Sequence, residues 1–368
     1  MESDRLVYLC ALSKVFAYRC AIGRQLMDAF GGPEALFKTP RRDLSELLHH
    51  GESLLDQLFD PALLDWAADE VSWARSYDIH LLSCDDPAYP RRLTACSDAP
   101  LMLYYKGTAD LNADRSLAVV GTRKASWYGR ESCRRIVGRL GELREKPLIV
   151  SGMALGIDGS AHAAALEAGL PTIGVLPGGL DEIYPRQHRE LARRTLASGA
   201  LVTDFARGTQ PVAHTFLRRN RIIAGMADAT LLVESFNKGG GLITASLAAS
   251  YQRAVFAVPG RMTDASFEGC NQLIARREAT LVADADAIPL AMGWISARQQ
   301  KARVSLFRPD DPPERREVLR CLQDRAPLAA EELAACTHLD ARVVNLLLLE
   351  LEMEGRVVAD GNKFFLTL

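Results

Sequence analysis

The chain reads as an α/β protein: a Rossmann-like, doubly wound, mostly parallel sheet, preceded by a small helical domain and followed by a winged-helix-like domain. Three observations predict this. From Leu117 onward, apolar runs of four to seven residues alternate with helix-length segments: "LAVVG", "LIVSG", "TIGVLPG", "ALVTDF", "ATLLVES", "AVFAVPG" and "ATLVAD". Runs without polar alternation mark strands buried on both faces, and the helices between them supply parallel crossovers. Glycine-rich turns follow several of these runs directly, as strand-to-helix turns do in open parallel sheets. The flanking segments lack this texture altogether.

Residues 1–80 are predicted as short helices. Apolar positions recur at helical spacing in "RLVYLCALSKVF" and "LSELLHHGESLLDQLF", while Gly31, Gly32, Pro33, Pro40 and Pro61 interrupt them. Residues 85–290 hold the sheet domain. Residues 291–312 read as a charged, proline-bearing linker, part of "ARQQKARVSLFRPDDPPERR". Residues 313–368 hold three helical segments and then "GRVVADGNKFFLTL", whose Asp360-Gly361 turn between apolar runs signals a hairpin. Three helices and a hairpin make the winged-helix-like end.

Composition bounds the function. A length of 368 residues fits two or three domains, and 48% hydrophobic with 24% charged residues is ordinary for a soluble globular protein. The formal net charge of -2 gives no overall basic footprint, so a polyanion must be held by a local patch. Eight cysteines without a C-x-x-C pair fit neither a disulfide framework nor a zinc site, and are expected to be reduced thiols. No metal or other cofactor is expected. No apolar run reaches membrane-spanning length and "MESDRLVYLC" lacks the basic start of a secretory signal, so a cytoplasmic protein away from membranes is expected.

A glycine- and alanine-bearing stretch, "SGMALGIDGSAH", Ser151–His162, stands directly after the apolar "PLIV". It has the form strand, turn, then a helix starting near Gly156 with Asp158 in its first turn. The form recurs at "AVVGTRKAS", "VLPGGLDEIYP" and "VESFNKGGGLITAS". Such turns lead into helix N-termini that favour anions, so four of them imply an extended anionic ligand or a nucleotide. A single turn is equally explained by the tight corner alone. Familiar alternatives are missing: there is no G-x-x-x-x-G-K-[ST], no G-x-G-x-x-G after the first strand, no G-x-S-x-G around Ser151 and no H-E-x-x-H. His162, on an alanine-rich helix, reads more readily as a packed residue than as a catalyst.

Local charge is more informative than the total. Nine basic residues stand against three acidic ones between Arg115 and Lys146, and eight against two between Arg186 and Arg221. Within the second segment, "HTFLRRNRIIAG" sets Phe216 beside Arg218, Arg219, Asn220 and Arg221. Rings next to guanidinium groups suit a single-stranded nucleic acid, whose bases stack while its phosphates pair with arginine. The spacing is equally compatible with Phe216 and Ile223 sharing a buried face and the arginines being solvated.

Taken in order, "VGTRKASWYG", "SGMALGIDGSAH", "TIGVLPGGLDEIYP", "FLRRNRIIAG", "GGGLITASLA" and "VFAVPG" closely resemble the DNA-processing protein A family, also called Smf. The resemblance covers about 85–290 strongly. It implies a Rossmann-like domain that binds single-stranded DNA, self-association as a homodimer, and loading of a RecA-type recombinase during natural transformation, with no catalytic residues. Carried onto this chain, it places Gly121, Thr122, Arg123 and Lys124 of the first turn around one basic DNA-binding pocket. Ser151, Gly152 and Gly156 of the second turn join them, with Phe216, Arg219, Asn220 and Arg221, and with Lys238, Gly239, Gly240 and Thr244 of the last turn. The chain departs from the family pattern at His188, Thr203-Asp204, Leu217 and Gly241. A rival class, nucleotide-processing enzymes of the lysine-decarboxylase-like type, carries P-G-G-x-G-T-x-x-E; "PGGLDEIYP" keeps Pro177, Gly178 and Gly179 but lacks the following Gly-Thr.

Overall fold

The parallel strands appear where the apolar runs stand. The computed structural model describes residues 2–47, 51–296 and 311–366. Among these, Met1–Ile288 and Pro289–Leu368 form two compact units.

The first unit opens with helices α1 (Glu2–Val15), α2 (Cys20–Phe30), α3 (Pro33–Lys38), α4 (Arg41–Leu47), α5 (Glu52–Leu58) and α6 (Ala62–Ser76). The breaks after α2, α3 and α5 follow the predicted residues, while those after α1 and α4 were not predicted. Gly31 caps α2 at a φ of 80°, in the left-handed region that favours glycine, and Pro33 starts α3 where its missing N–H costs nothing. Pro61 immediately precedes α6.

The sheet follows: β1 (His80–Ser83), β2 (Met102–Gly107), β3 (Ser116–Val120), β4 (Leu148–Ser151), β5 (Thr172–Val175), β6 (Ala200–Thr203), β7 (Ala229–Leu232), β8 (Ala254–Ala257) and β9 (Thr280–Leu281). Interleaved helices are α7 (Trp127–Gly141), α8 (Ile157–Glu167), α9 (Arg189–Ser198), α10 (Ala213–Gly225), α11 (Gly240–Ser250) and α12 (Glu268–Ala275). The strand order is β1-β2-β6-β5-β4-β3-β7-β8-β9. From β6 to β9 every pairing is parallel, while β1–β2 and β2–β6 are antiparallel. Strands β3 to β7 are buried along their whole length, which is why their sequences show no alternation. The antiparallel edge precedes Leu117 and had no counterpart in the sequence reading.

That edge carries the helical start. Cys10 Sγ lies 3.9 Å from the Tyr104 hydroxyl of β2, and Lys106 Nζ donates to the Tyr77 carbonyl just after α6. Burial pushes the thiols of Cys10, Cys133 and Cys270 up to about 12, so they pack as small apolar groups.

The strand order reverses at β3: β4 to β6 run out on one side, β7 to β9 on the other. The crevice outside the carboxyl ends of β3 and β7 is therefore the topological switch point, where open α/β sheets bind ligands.

In the second unit, α13 (Pro313–Arg325), β10 (Leu328–Ala329), α14 (Ala330–Thr337), α15 (Ala341–Met353), β11 (Val357–Asp360) and β12 (Lys363–Leu366) make the winged helix. Its three strands run β10-β12-β11, with the predicted hairpin between Asp360 and Lys363. Val318, Leu319, Leu322, Leu333, Val344, Leu348, Leu351 and Val357 form its core. The expected linker lies mostly outside the described residues. One expectation is corrected: Cys321 of α13 and Cys336 of α14 are joined as a disulfide, because packing these helices brings their Cα atoms to 6.7 Å, which the sequence spacing did not reveal.

Helix α15 would be the groove-entering element if this winged helix read DNA. Its outer face instead exposes Val343, Leu346, Leu349 and Met353, while Glu350 and Glu354 turn to Arg315 at 2.5 and 2.8 Å. An apolar stripe with exposed Glu352 leaves Arg342, in the first turn, as the one cation of this helix, which offers a phosphate backbone little to hold. Residues 313–368 alone should show no duplex DNA binding in fluorescence anisotropy at physiological salt; a dissociation constant of roughly a micromolar or below, within the range of sequence-independent binders, would reject this.

Candidate nucleic-acid interface

A pocket of about 540 Å³ lies at the switch point. The turn after β3 supplies Val120 to Arg123, the turn before α11 supplies Gly239 to Gly241 with Thr244, and α10 supplies Phe216, Leu217, Arg219, Asn220 and Ile223. Ala154 and Asp158 enter from the second glycine turn and the start of α8.

The first turn is held by backbone. Thr122 N–H donates to the Glu234 carbonyl at 2.8 Å, and the Thr122 carbonyl accepts from Ile157 N–H at 3.1 Å. The Glu234 side chain, fully buried at the end of β7, accepts from Ser126 N–H and Ser126 Oγ at 2.9 and 3.0 Å. It thereby fixes the N-terminus of α7, where a carboxylate is favoured by the helix dipole. The acidic residue straight after the buried run "ATLLV" was its sequence signal, and the motif reading passed over it.

The second turn shows why its side chains are missing. A Cβ on Gly152 would sit 1.8 Å from Arg219 Nη1, and one on Gly156 would sit 2.2 Å from the Thr122 carbonyl. Gly156 also adopts a φ of 80°. The groups that approach this backbone are thus the chain's own guanidinium and its own first turn. Ser151 is wholly buried, its Oγ donating to the Val119 carbonyl at 2.7 Å, so it joins β4 to β3 and does not line the pocket.

Arg219 forms the floor. It is 4% exposed, donates through Nη1 to the Val175 carbonyl at 2.7 Å, and forms no ion pair among the described residues. Its Nε is buried without a hydrogen-bond partner. Burial pulls its pKa down to about 10; Asp158 opposes that shift and Arg123 adds to it. Asp158 is held by the Ala154 and Gly152 amides, and burial raises its pKa, with Arg219 as the main opposing influence.

Phe216 is half-buried at the wall and not in the core. The Arg123 guanidinium lies 4.4 Å from its ring centre, and the Tyr184 ring meets it edge-on at 5.6 Å. Tyr184 was not anticipated from the sequence; it stands in "DEIYP", far along the chain from α10.

The remaining predicted residues separate. Gly121, Thr122, Arg123, Phe216, Arg219, Asn220, Gly239, Gly240 and Thr244 come together at the pocket. Lys124 and Lys238 are exposed beside it, next to the first and last turns, and do not line it. Arg221 points away, donating to Asp204 Oδ2 at 2.5 Å and to the Asp98 carbonyl. The placement of Arg221 at the pocket is corrected by helix geometry: residues three apart share a face, so Arg221 joins Arg218 on Asp204 while Arg219 faces the pocket. The glycines of the third turn are absent from the pocket as well, since Gly178 and Gly179 pack against Thr209 and Ala206 of a following loop, and only Tyr184 of that turn reaches the wall. Departures from the family pattern are built in: His188 Nδ1 lies 2.8 Å from the Met153 carbonyl, and a Cβ on Gly241 would approach Leu232 Cδ1 to 2.7 Å.

Fold and site together define a class: a Rossmann-like protein with a cationic, ring-walled pocket at its switch point and an appended winged helix. The chain belongs to the DNA recombination-mediator protein A family, whose model matches residues 80–292, with the DprA winged helix domain matching 307–362. It is 35% identical over 298 residues to a putative DNA processing protein DprA of Mycobacterium tuberculosis, covering 77% of this chain and 74% of that one. It is 39% identical over 219 residues to protein Smf of Escherichia coli, covering 59% and 58%. Among solved structures, DprA of Streptococcus pneumoniae superposes with a TM-score of 0.56 at 32% identity, over 68% of this chain and 92% of that one. DNA processing protein A of Helicobacter pylori, in a structure described for its single-stranded DNA binding mode, gives 0.53 at 25% identity, over 59% of this chain and 96% of that one.

His162 has a structural role. It is fully buried, with Nδ1 2.8 Å from Thr172 Oγ1, whose hydroxyl donates to the Ile149 carbonyl. Nδ1 is therefore the donor, and the ring is neutral. Burial lowers its pKa from 6.5 to about 3, so below about pH 6.5 the unfolded chain takes up a proton that the folded chain refuses. Stability falls as pH falls through that window, by at most about 1.4 kcal/mol per unit, and the effect vanishes above it. Urea denaturation at pH 7.0 and 5.5 should show wild type losing about 1 kcal/mol more than His162→Gln; equal losses would refute the assignment.

Proposed function

We propose that this protein binds single-stranded DNA at the switch-point pocket and acts as a non-enzymatic mediator that hands the strand to a RecA-type recombinase. The observation that carries the reading is Arg219: a buried guanidinium without an ion pair, at the floor of a pocket whose wall is a ring capped by Arg123. A buried cation is costly unless an anion meets it, and a phosphate of the strand is such an anion. The ring and guanidinium at the wall supply what an adjacent base stacks on. Single-stranded DNA binding by the Helicobacter pylori relative, and the family's description as a recombination mediator, support the same reading. Work as a homodimer, and in the uptake of DNA during natural transformation, follows from the family resemblance and belongs to the proposal.

Two outcomes are expected. Phe216→Ala should weaken binding to an oligothymidine by about 1–3 kcal/mol, the worth of one stacking platform, while Phe216→Tyr or Trp retains most of it. The melting temperature should hardly move, since the ring lies outside the core. Anisotropy titration and thermal melting of the same variants check this, and a large stability loss with unchanged affinity would reject stacking.

Arg123→Ala should lower affinity and flatten the slope of log affinity against log salt by about 0.7, as loss of one phosphate contact does for single strands. Titrations across a salt series decide it. An unaltered slope would remove Arg123 from the phosphate path.

A further inference from the structure

Helix α10 walls a second pocket, of about 370 Å³, on the side facing the N-terminal helices. Lys14, Tyr18 and Trp66 come from α1, the residues after it and α6; Phe205, His214 and Arg218 come from the sheet unit. The first three lie outside the family model's span of 80–292.

The chemistry repeats that of the first pocket. Tyr18 is 70% exposed, with the Arg218 guanidinium 4.5 Å from its ring centre and the His214 ring at 6.4 Å. Lys14 Nζ lies 3.8 Å above the Trp66 ring. In the first pocket the matching pair is Arg123 over Phe216 at 4.4 Å. Rings flanked by cations are what sequence-tolerant single-strand sites use, the ring for a base and the cation for the backbone. At this pocket Asp204, its side chain 1% exposed, keeps Oδ1 without a hydrogen-bond partner while Oδ2 serves two arginines. An imino or amino N–H of a base is a fitting donor to it.

The two pockets are neighbours. Val212, immediately before α10, lines both. A strand passing between them crosses the amino end of a 13-residue helix, where the Thr215 amide is taken by the Val212 carbonyl but the two amides before it precede the helical ladder, and whose dipole favours a phosphate.

We propose that the second pocket is a further base-binding subsite for the same single strand, reached across the N-terminus of α10 and completed by Tyr18, Lys14 and Trp66. This rests on the reading that the first pocket holds single-stranded DNA. The test uses the full chain, with labelled oligothymidines of about 4 and about 16 nucleotides, the range of known single-strand site sizes. Tyr18→Ala should weaken the long oligonucleotide by roughly five- to hundredfold, leave the short one unchanged, and leave melting unchanged. Tyr18→Trp should keep long-strand affinity near wild type. Equal affinity of Tyr18→Ala and wild type at both lengths would overturn the subsite while leaving the first pocket intact, as would an equal loss at both lengths. Wild type binding neither length would overturn the reading of the first pocket, and the subsite with it.

Discussion

The candidate site depends on one buried guanidinium. Arg219 leaves α10, passes over the backbone of Gly152 and reaches the Val175 carbonyl at the end of β5. That path requires a residue without a side chain at position 152 and a strand end with a free carbonyl beneath it. It ties α10 to the ends of two central strands and so joins the wall of the pocket to its floor. It also leaves a positive charge in a place that water hardly reaches, facing Asp158, whose carboxylate is occupied by backbone amides. Taking a charge out of water is expensive, and the structure offsets it here with a single carbonyl bond and one distant carboxylate.

The basic excess read from the sequence is mostly spent elsewhere. Arg134 and Arg135 pair with Glu131, Arg139 with Asp286, Arg186 with Glu182, Arg193 with Glu190, and Arg218 with Arg221 on Asp204. What remains around the pocket is a small set: Arg123 and Arg219 within it, Lys124 and Lys238 beside it. A chain of net charge -2 therefore presents a cationic site through placement and not through quantity. Neighbours in sequence do different work because a helix turns about a quarter of a circle per residue, so Arg218 and Arg221 lock the Asp204 side while Arg219 faces the ligand side.

How much of this was legible follows from what each feature depends on. The parallel strands were legible because burial on both faces erases polar alternation, a purely local signature. The antiparallel edge was not, since "HLLS" and "MLYYKG" are buried over only part of their length and take their identity from partners: β2 is a strand because it pairs with β6, far along the chain. The glycine turns announced strand-to-helix corners, but which corners share a pocket depends on strand order, and the third corner lies two strands from the switch point. For Phe216 the periodicity left wall and core open; the burial pattern of α10, with Thr215, Arg219 and Asn220 more buried than the ring, resolves it as wall.

Strand order also explains why the pocket is where it is. At β3 and β7 the chain departs to opposite sides of the sheet, so the turns after these strands diverge and leave a crevice that no crossover fills. The Val233 amide donates to the Val120 carbonyl and the Thr122 amide to the Glu234 carbonyl, extending the β3–β7 ladder to the crevice floor. The buried Glu234 side chain then takes the amide and hydroxyl of Ser126, so the first turn is fixed from both ends before any ligand arrives. A turn so held cannot adapt to a ligand by refolding. Adaptation falls instead to the side chains that stand free of the ladder, Arg123 and Phe216, whose mutual contact at 4.4 Å is an interaction that an incoming base can replace in kind.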